Sequence, residues 1–173
     1  MKPYRTNDEK SVLFLDIDKT ITSKDFFHGV KYKGKEFYKT LANDVVPPRM
    51  KRLVLAFIEG GFEIRVFTGR DLDYKKCTEK FWKNNFPDVK GKIAYCGENA
   101  DDFNYDNYVL LKVEKMIRHI VKNKYENIVV VDDDHGIIKT MSQNVLFTNM
   151  KCFKIPEQTE ECERFVERAR INA

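Results

Sequence analysis

Apolar residues follow two rhythms along this chain. Val12-Leu13-Phe14-Leu15 is an unbroken run that stops at Asp16, the pattern of a strand covered on both faces; Ile128–Val131 repeats it, and Phe62–Thr68 reads as a further strand that stops at Gly69. From Pro47 to Glu59 the apolar positions Met50, Leu53, Val54, Phe57 and Ile58 instead recur at helical steps. Pro47-Pro48 precedes them and Gly60-Gly61 follows, which predicts an amphipathic helix. Further helices are expected over about Leu72–Asn84, along the stripe Val113, Met116, Ile117, Ile120 and Val121, and over Gly136–Ser142. A last one should turn Cys162, Phe165, Val166 and Ala169 inward. Short strands are expected at Lys92–Tyr95, around Val145–Phe147 and over Cys152–Ile155, while residues 97–107, rich in Asn, Asp and Gly, read as a loop. Strands alternating with helices imply an α/β fold whose parallel sheet is covered on both sides.

Composition narrows this only a little. A chain of 173 residues suits one domain with its own core, here residues 11–173 behind a polar tail at 1–10. With 42% hydrophobic and 13% aromatic residues, disorder is excluded for all but the ends. A net charge of +4 would help with a polyanionic partner without demanding one. Cys77, Cys96, Cys152 and Cys162 form no CxxC pair and read as reduced thiols. The first ten residues hold no apolar leader and no stretch is apolar enough to span a bilayer, so a soluble cytoplasmic protein without a membrane partner is expected.

The chemistry is concentrated at strand ends, where open parallel sheets collect their reactive groups. The first strand runs into Asp16-Ile17-Asp18-Lys19-Thr20, the second into Thr68-Gly69-Arg70, and the one at 128–131 into Asp132-Asp133-Asp134. Carboxylates so close together oppose one another's ionisation unless a cation sits among them. Oxygen donors without His or Cys select Mg²⁺, an ion that works with phosphate, so phosphoryl chemistry is expected. Lys112, read as opening the helix at 113, would face the unfavourable end of the helix dipole and should meet an anion. Taken singly, Asp18 or Asp132 would be a cap or loop acid and Thr68 an ordinary strand residue; their convergence on one sheet edge favours chemistry. Asp134 reads as a helix N-cap, Arg70 as either a phosphate clamp or a surface charge, and His28, His119 and His135 as surface or structural groups.

VLFLDIDKT, IRVFTGR, Lys112 before a helix and VVVDDD resemble, in order, the four motifs of the haloacid dehalogenase superfamily of phosphotransferases, across residues 12–155. The resemblance implies a three-layer Rossmann-like fold with a central, mostly parallel sheet. It implies Asp16 as the nucleophile that forms an aspartyl-phosphate, and Asp18 as the acid for the leaving oxygen and later the base for water. Thr68 would hydrogen-bond a phosphoryl oxygen and Lys112 would neutralise its charge, with Thr20, Gly69, Arg70 and Lys19 around the substrate. Mg²⁺ would be held by the Asp16 carboxylate, the Asp18 main-chain carbonyl and Asp132, with Asp133 behind them or acting through water. Lys19 stands where many members carry glycine.

Specificity in this superfamily depends on cap insertions. Only about two dozen residues separate Thr20 from the helix near Pro47, and residues 70–111 are taken up by elements the sheet needs. A minimal cap and an open site follow, suited to a chain end or a protein loop. The segment FFHGVKYKGKEFYK, residues 26–39, interleaves Phe26, Phe27, Tyr32, Phe37 and Tyr38 with Lys31, Lys33, Lys35 and Lys39. It reads as a flap for single-stranded nucleic acid or, equally, as a solvated hairpin with core aromatics. VVPPRMKRLVLAFIEGGFEIRVFTGR, Tyr74, Lys80, Phe81 and Trp82, VLLKVEKMIRHI and VVVDDD are together similar to the 3'-phosphatase domain of polynucleotide kinase-phosphatases. That finer resemblance implies removal of 3'-phosphates from nucleic-acid ends in repair. With no GxxxxGK[ST] in these residues, it also implies a separate kinase or ligase partner. The alternatives are a phosphatase of nucleotides, other small esters or phosphoproteins, and a module that holds phosphorylated ends without turnover.

Overall fold

Every residue of β1, Ser11–Leu15, is buried, because its alternating side chains enter two different cores. Leu13 and Leu15 join Met50, Leu53, Val54 and Phe57 of α1 (Pro48–Glu59), Phe81 and Trp82 of α2 (Lys75–Asn85), and Cys162 and Val166 of α5 (Thr159–Ile171). Val12 and Phe14 join Val109, Val113, Met116 and Ile120 of α3 (Tyr105–Asn123) and Ile137 and Met141 of α4 (His135–Ser142). The result is the three-layer α/β arrangement that the alternation of strands and helices predicts. These statements come from a computed structural model that describes residues 10–23, 40–89, 91–97 and 104–171. The tail at 1–9 and the basic aromatic segment at 26–39 lie outside the described residues.

β2 (Phe62–Thr68), β3 (Lys92–Tyr95), β4 (Asn127–Asp132) and β5 (Met150–Lys154) complete a sheet of order β3-β2-β1-β4-β5, with every pairing parallel. The chain builds outward from β1 to β2 and β3, then crosses back to lay β4 on the other side. The switch point of the topology therefore falls between the carboxyl ends of β1 and β4, where open α/β sheets form their crevices. Leu15 is in register with both Val66 and Val131, and the Asp16 N–H donates to the Val131 carbonyl at 3.0 Å. The first residue beyond β1 is thereby tied to β4.

Two sequence expectations need correction. Val145–Phe147 is a turn, with Val145 89% and Leu146 74% exposed; the Asn144 side chain accepts the Leu146 N–H, and the sheet edge is taken by Met150–Lys154 instead. Three apolar residues closely followed by Asn149 are too few to make an edge strand against β4. Lys112 does not open its helix: α3 begins seven residues earlier at Tyr105, behind an Asn104 cap whose side chain accepts the Asn107 N–H. The dipole argument for an anion at Lys112 thus fails, and the reason an anion is there lies in the site itself.

Candidate active site

Asp16 is almost fully buried at the end of β1, with both carboxylate oxygens engaged. Lys112 Nζ donates to Oδ1 at 2.8 Å, and the Thr20 hydroxyl lies 3.2 Å from Oδ2 and 3.3 Å from Asp133 Oδ1, its single proton serving one or the other. Lys112 Nζ also lies 2.8 Å from Asp132 Oδ2, and the Tyr108 hydroxyl accepts from it at 3.2 Å. Tyr108 stands one helical turn before Lys112 and places its ring under the ammonium, 5.6 Å from the centroid. Burial alone would lower the Lys112 pKa, but Asp132 and Asp16 more than reverse this and hold it well above the ordinary lysine range. The ammonium is therefore a fixed charge.

Asp16, Asp132 and Asp133 each bring a carboxylate oxygen to within 4.8 Å of the others. Three carboxylates around one ammonium leave two negative charges uncompensated, the charge of one divalent cation. Asp132 Oδ2, buried, takes no well-directed hydrogen bond, although Lys112 is close enough for an ion pair. Burial raises Asp132 to about 7, against the pull of Lys112 and with a further push from Asp16; burial and Asp16 raise Asp133 to about 6. Oxygen donors, excess negative charge and raised carboxyl pKa values all fit a hard divalent cation.

A second buried cation stands on the other side of β1. Arg70, wholly buried just beyond β2, grips both oxygens of Asp18, Nε at 2.8 Å and Nη2 at 2.7 Å. Its Nη1 donates to the Thr78 hydroxyl at 3.2 Å, and the guanidinium covers the Phe81 ring at 5.6 Å. Arg70 is therefore not the surface charge that its type alone allowed; it is the anchor of Asp18. Burial raises the Asp18 pKa and Arg70 opposes the rise. The Thr68 hydroxyl accepts the Arg70 N–H at 3.3 Å. This turn is braced from β3: the Cys96 N–H donates to the Thr68 carbonyl and the Gly97 N–H to the Arg70 carbonyl. A side chain at Gly97 would lie 2.8 Å from the Arg70–Asp71 peptide, so the close approach requires glycine.

Of the sequence-predicted residues, Asp16, Thr20, Lys112, Asp132 and Asp133 thus gather in one cluster, with Asp18, Thr68, Gly69 and Arg70 beside it. Lys19 is exposed in a left-handed turn between Asp18 and Thr20 (φ 59°). Asp134 caps α4, its Oδ1 accepting the Ile137 N–H and the Tyr105 hydroxyl. His119 packs among Phe14, Phe67 and Tyr125, away from the cluster. Sequence reasoning missed Tyr108 and Thr78, and it named Phe81 in the finer resemblance without its place under Arg70. Tyr108 was recoverable from its four-residue step before Lys112; Thr78 carries no signal until Arg70 is known to be buried.

No family model and no curated protein matches the sequence. Solved structures do. A structure of the Pnkp1/Rnl/Hen1 RNA repair complex matches 90% of this chain at TM-score 0.61 and 15% identity; this chain spans 45% of the matched one, less than half its length. Phosphoserine phosphatase from T. onnurineus matches 94% of this chain and 95% of its own at TM-score 0.51 and 15% identity. Class C acid phosphatase from Bacillus anthracis, with tungstate bound, matches 96% and 80% at TM-score 0.51 and 14% identity. At such identities the likeness speaks for architecture. The chain has the fold of haloacid dehalogenase-type phosphatases, the fold that its four ordered motifs imply.

Proposed function

We propose that this chain is a Mg²⁺-dependent phosphatase that works through an aspartyl-phosphate and removes 3'-phosphates from nucleic-acid ends. The observation that carries the chemistry is the setting of Asp16: a buried carboxylate held by Lys112 and Thr20, beside the two acids Asp132 and Asp133. Asp16 needs no base to attack phosphorus, and Lys112 and Thr20 fix its direction. As the ester P–O bond breaks, Asp18 gives its proton to the leaving oxygen; it then takes one from the water that cleaves the acyl-phosphate, releasing inorganic phosphate and restoring Asp16. Burial favours the protonated Asp18 this requires, and Arg70 keeps the carboxyl in place through both half-reactions. The Thr68 hydroxyl, accepting from the Arg70 N–H, keeps its own proton for a phosphoryl oxygen. Asp16, Asp132, Asp133 and the Asp18 main-chain carbonyl would hold Mg²⁺, which would offset the charge of phosphate beside these acids.

The nucleic-acid substrate rests on the resemblance of the motifs, on Arg70 directly after Thr68-Gly69, and on the likeness to a chain of an RNA repair complex, which also supports a kinase or ligase partner. Phosphate release should be measured, with Mg²⁺ and with EDTA, from a 3'-phosphorylated oligonucleotide, its 5'-phosphorylated counterpart, mononucleotides and a phosphopeptide. The expected result is metal-dependent release with the 3'-phosphorylated strand preferred. Preference for a mononucleotide or the phosphopeptide would replace the substrate; tight binding of the 3' end without release would make the chain a binding module.

A further inference from the structure

Tyr108 lies in the first turns of α3, its N–H donating to the carbonyl of the Asn104 cap at 2.9 Å, and its buried side chain shares a helix face with Lys112. A phenylalanine would fill that place without taking a hydroxyl out of water, so the hydroxyl points to a use. It faces the Lys112 ammonium, which has three protons to give and three acceptors around it: Asp16 Oδ1 at 2.8 Å, the Tyr108 hydroxyl at 3.2 Å and Asp132 Oδ2 at 2.8 Å. The first two take directed hydrogen bonds. Asp132 Oδ2 takes none, although it is as close to Nζ as Asp16 is. The carboxyl itself is held, because its Oδ1 accepts the Asp134 N–H at 3.0 Å. Asp132 therefore has one oxygen fixed and one buried oxygen without a hydrogen bond, in the cluster it forms with Asp16 and Asp133. Such an oxygen is costly to leave so, and a small turn of Lys112 would satisfy it; the hydrogen bond to Tyr108 opposes that turn.

We propose that Tyr108 is a positioning residue whose hydroxyl draws an N–H of Lys112 away from Asp132 Oδ2 and so leaves that oxygen to a divalent cation. The inference rests on the reading of Asp16, Asp132 and Asp133 as the acids that hold Mg²⁺, and it adds the residue that keeps the neighbouring ammonium from competing for one of them. Calorimetric titration of Mg²⁺ into the metal-free protein measures Kd with no substrate present. Tyr108→Phe keeps the ring under the ammonium and removes the acceptor, and the Kd for Mg²⁺ should rise by about tenfold. The rise should depend on Lys112. In Lys112→Met no ammonium remains to turn onto Asp132, and adding Tyr108→Phe there should change Kd by less than about twofold. A hydroxyl that merely supported the packing of α3 would weaken Mg²⁺ by the same factor with and without Lys112.

Should Lys112→Met fail to fold without metal, a crystal structure of metal-free Tyr108→Phe makes the same test, with Lys112 Nζ expected to donate a directed hydrogen bond to Asp132 Oδ2. An unchanged Kd in Tyr108→Phe, an equal rise in the Lys112→Met background, or a Lys112 still turned from Oδ2 in that crystal structure would overturn the role of Tyr108 while leaving the metal site intact. A folded wild-type protein that took up no Mg²⁺ would overturn the metal reading and this inference together, a failure visible before any variant is made.

Discussion

Two buried cations flank the end of β1, and they live in opposite electrostatic conditions. Arg70 meets one carboxyl group, Asp18, in a two-point grip completed by Thr78 and Phe81, so its charge faces a single acid in a closed pair. Lys112 meets Asp16 and Asp132, with Asp133 next to them, and the group is left with negative charge in excess. Their positions in the topology explain the difference. β1 and β4 end together at the switch point and each brings acids to it, whereas β2, on the other side of β1, brings a threonine and an arginine. A closed pair is suited to holding a proton donor in place. An open, over-charged cluster is suited to taking up a cation together with a phosphate.

The largest effect that this contrast predicts is chemical. Asp16→Asn keeps the shape and removes the nucleophile; kcat for any phosphate ester should fall by at least about a thousandfold, with Tm little changed because Lys112 still faces Asp132. Steady-state kinetics beside a thermal melt would check both halves, and near wild-type turnover would remove Asp16 from the mechanism.

Next come the cations themselves. Lys112→Met and Arg70→Met each strip a buried carboxylate of its partner, and each should cost about 3–5 kcal/mol, roughly 10 °C in Tm for a chain of this size. The two should part company in Mg²⁺. Saturating metal should recover much of the loss in Lys112→Met, where Asp16, Asp132 and Asp133 remain as ligands, and little in Arg70→Met, where Asp18 is left alone. Melts of both variants with EDTA and with Mg²⁺ make the comparison; equal recovery would mean that the two cations are electrostatically alike.

The sequence made one side of this contrast more legible than the other. Asp16, Asp132 and Lys112 could be read because each acid follows an unbroken apolar run, and such runs fix where buried strands end. Lys112 lies beside these acids but in the middle of its helix and not at the start, since Tyr105, Asp106 and Asn107 put polar and exposed groups in the first turn of α3 and hide its start from an apolar count. The Arg70–Asp18 pair was not readable at all. Fifty-two positions separate the partners, and no local pattern tells an arginine that will be wholly buried from one that stays in water. Val145-Leu146-Phe147 misled in the reverse direction: apolar type suggested a strand, but β5 takes the edge of β4 with the mixed sequence Met150–Lys154. Apolar runs report burial on both faces, and an apolar triplet alone does not make an edge strand; ion pairs escape them altogether.

The smallest effect is the most specific to the open cluster. Burial, opposed by Lys112 and reinforced by Asp16, puts Asp132 at about 7, and burial with Asp16 puts Asp133 at about 6. An unfolded aspartate titrates near 3.9, so between about pH 4 and 7 the folded chain holds protons that the unfolded chain has already released. The sign follows: these two groups make the metal-free protein less stable as pH rises through that window, the reverse of a salt-bridged aspartate with a depressed pKa. Mg²⁺ binds only the deprotonated carboxylates and must displace those protons at low pH, so its stabilisation should grow from pH 5 to pH 8. At a hundredfold excess over Kd it reaches about 2.7 kcal/mol, or roughly 5–10 °C. Melts at each pH in EDTA and in Mg²⁺ should give two curves that diverge with rising pH. In Asp132→Asn, which lacks one titrating ligand, the divergence should shrink, while in Thr78→Val, altered only in the closed Arg70 pair, it should persist. Parallel curves, with the same Mg²⁺ shift at pH 5 and pH 8, would mean that protons and metal do not compete for the cluster and that its excess charge is balanced in another way.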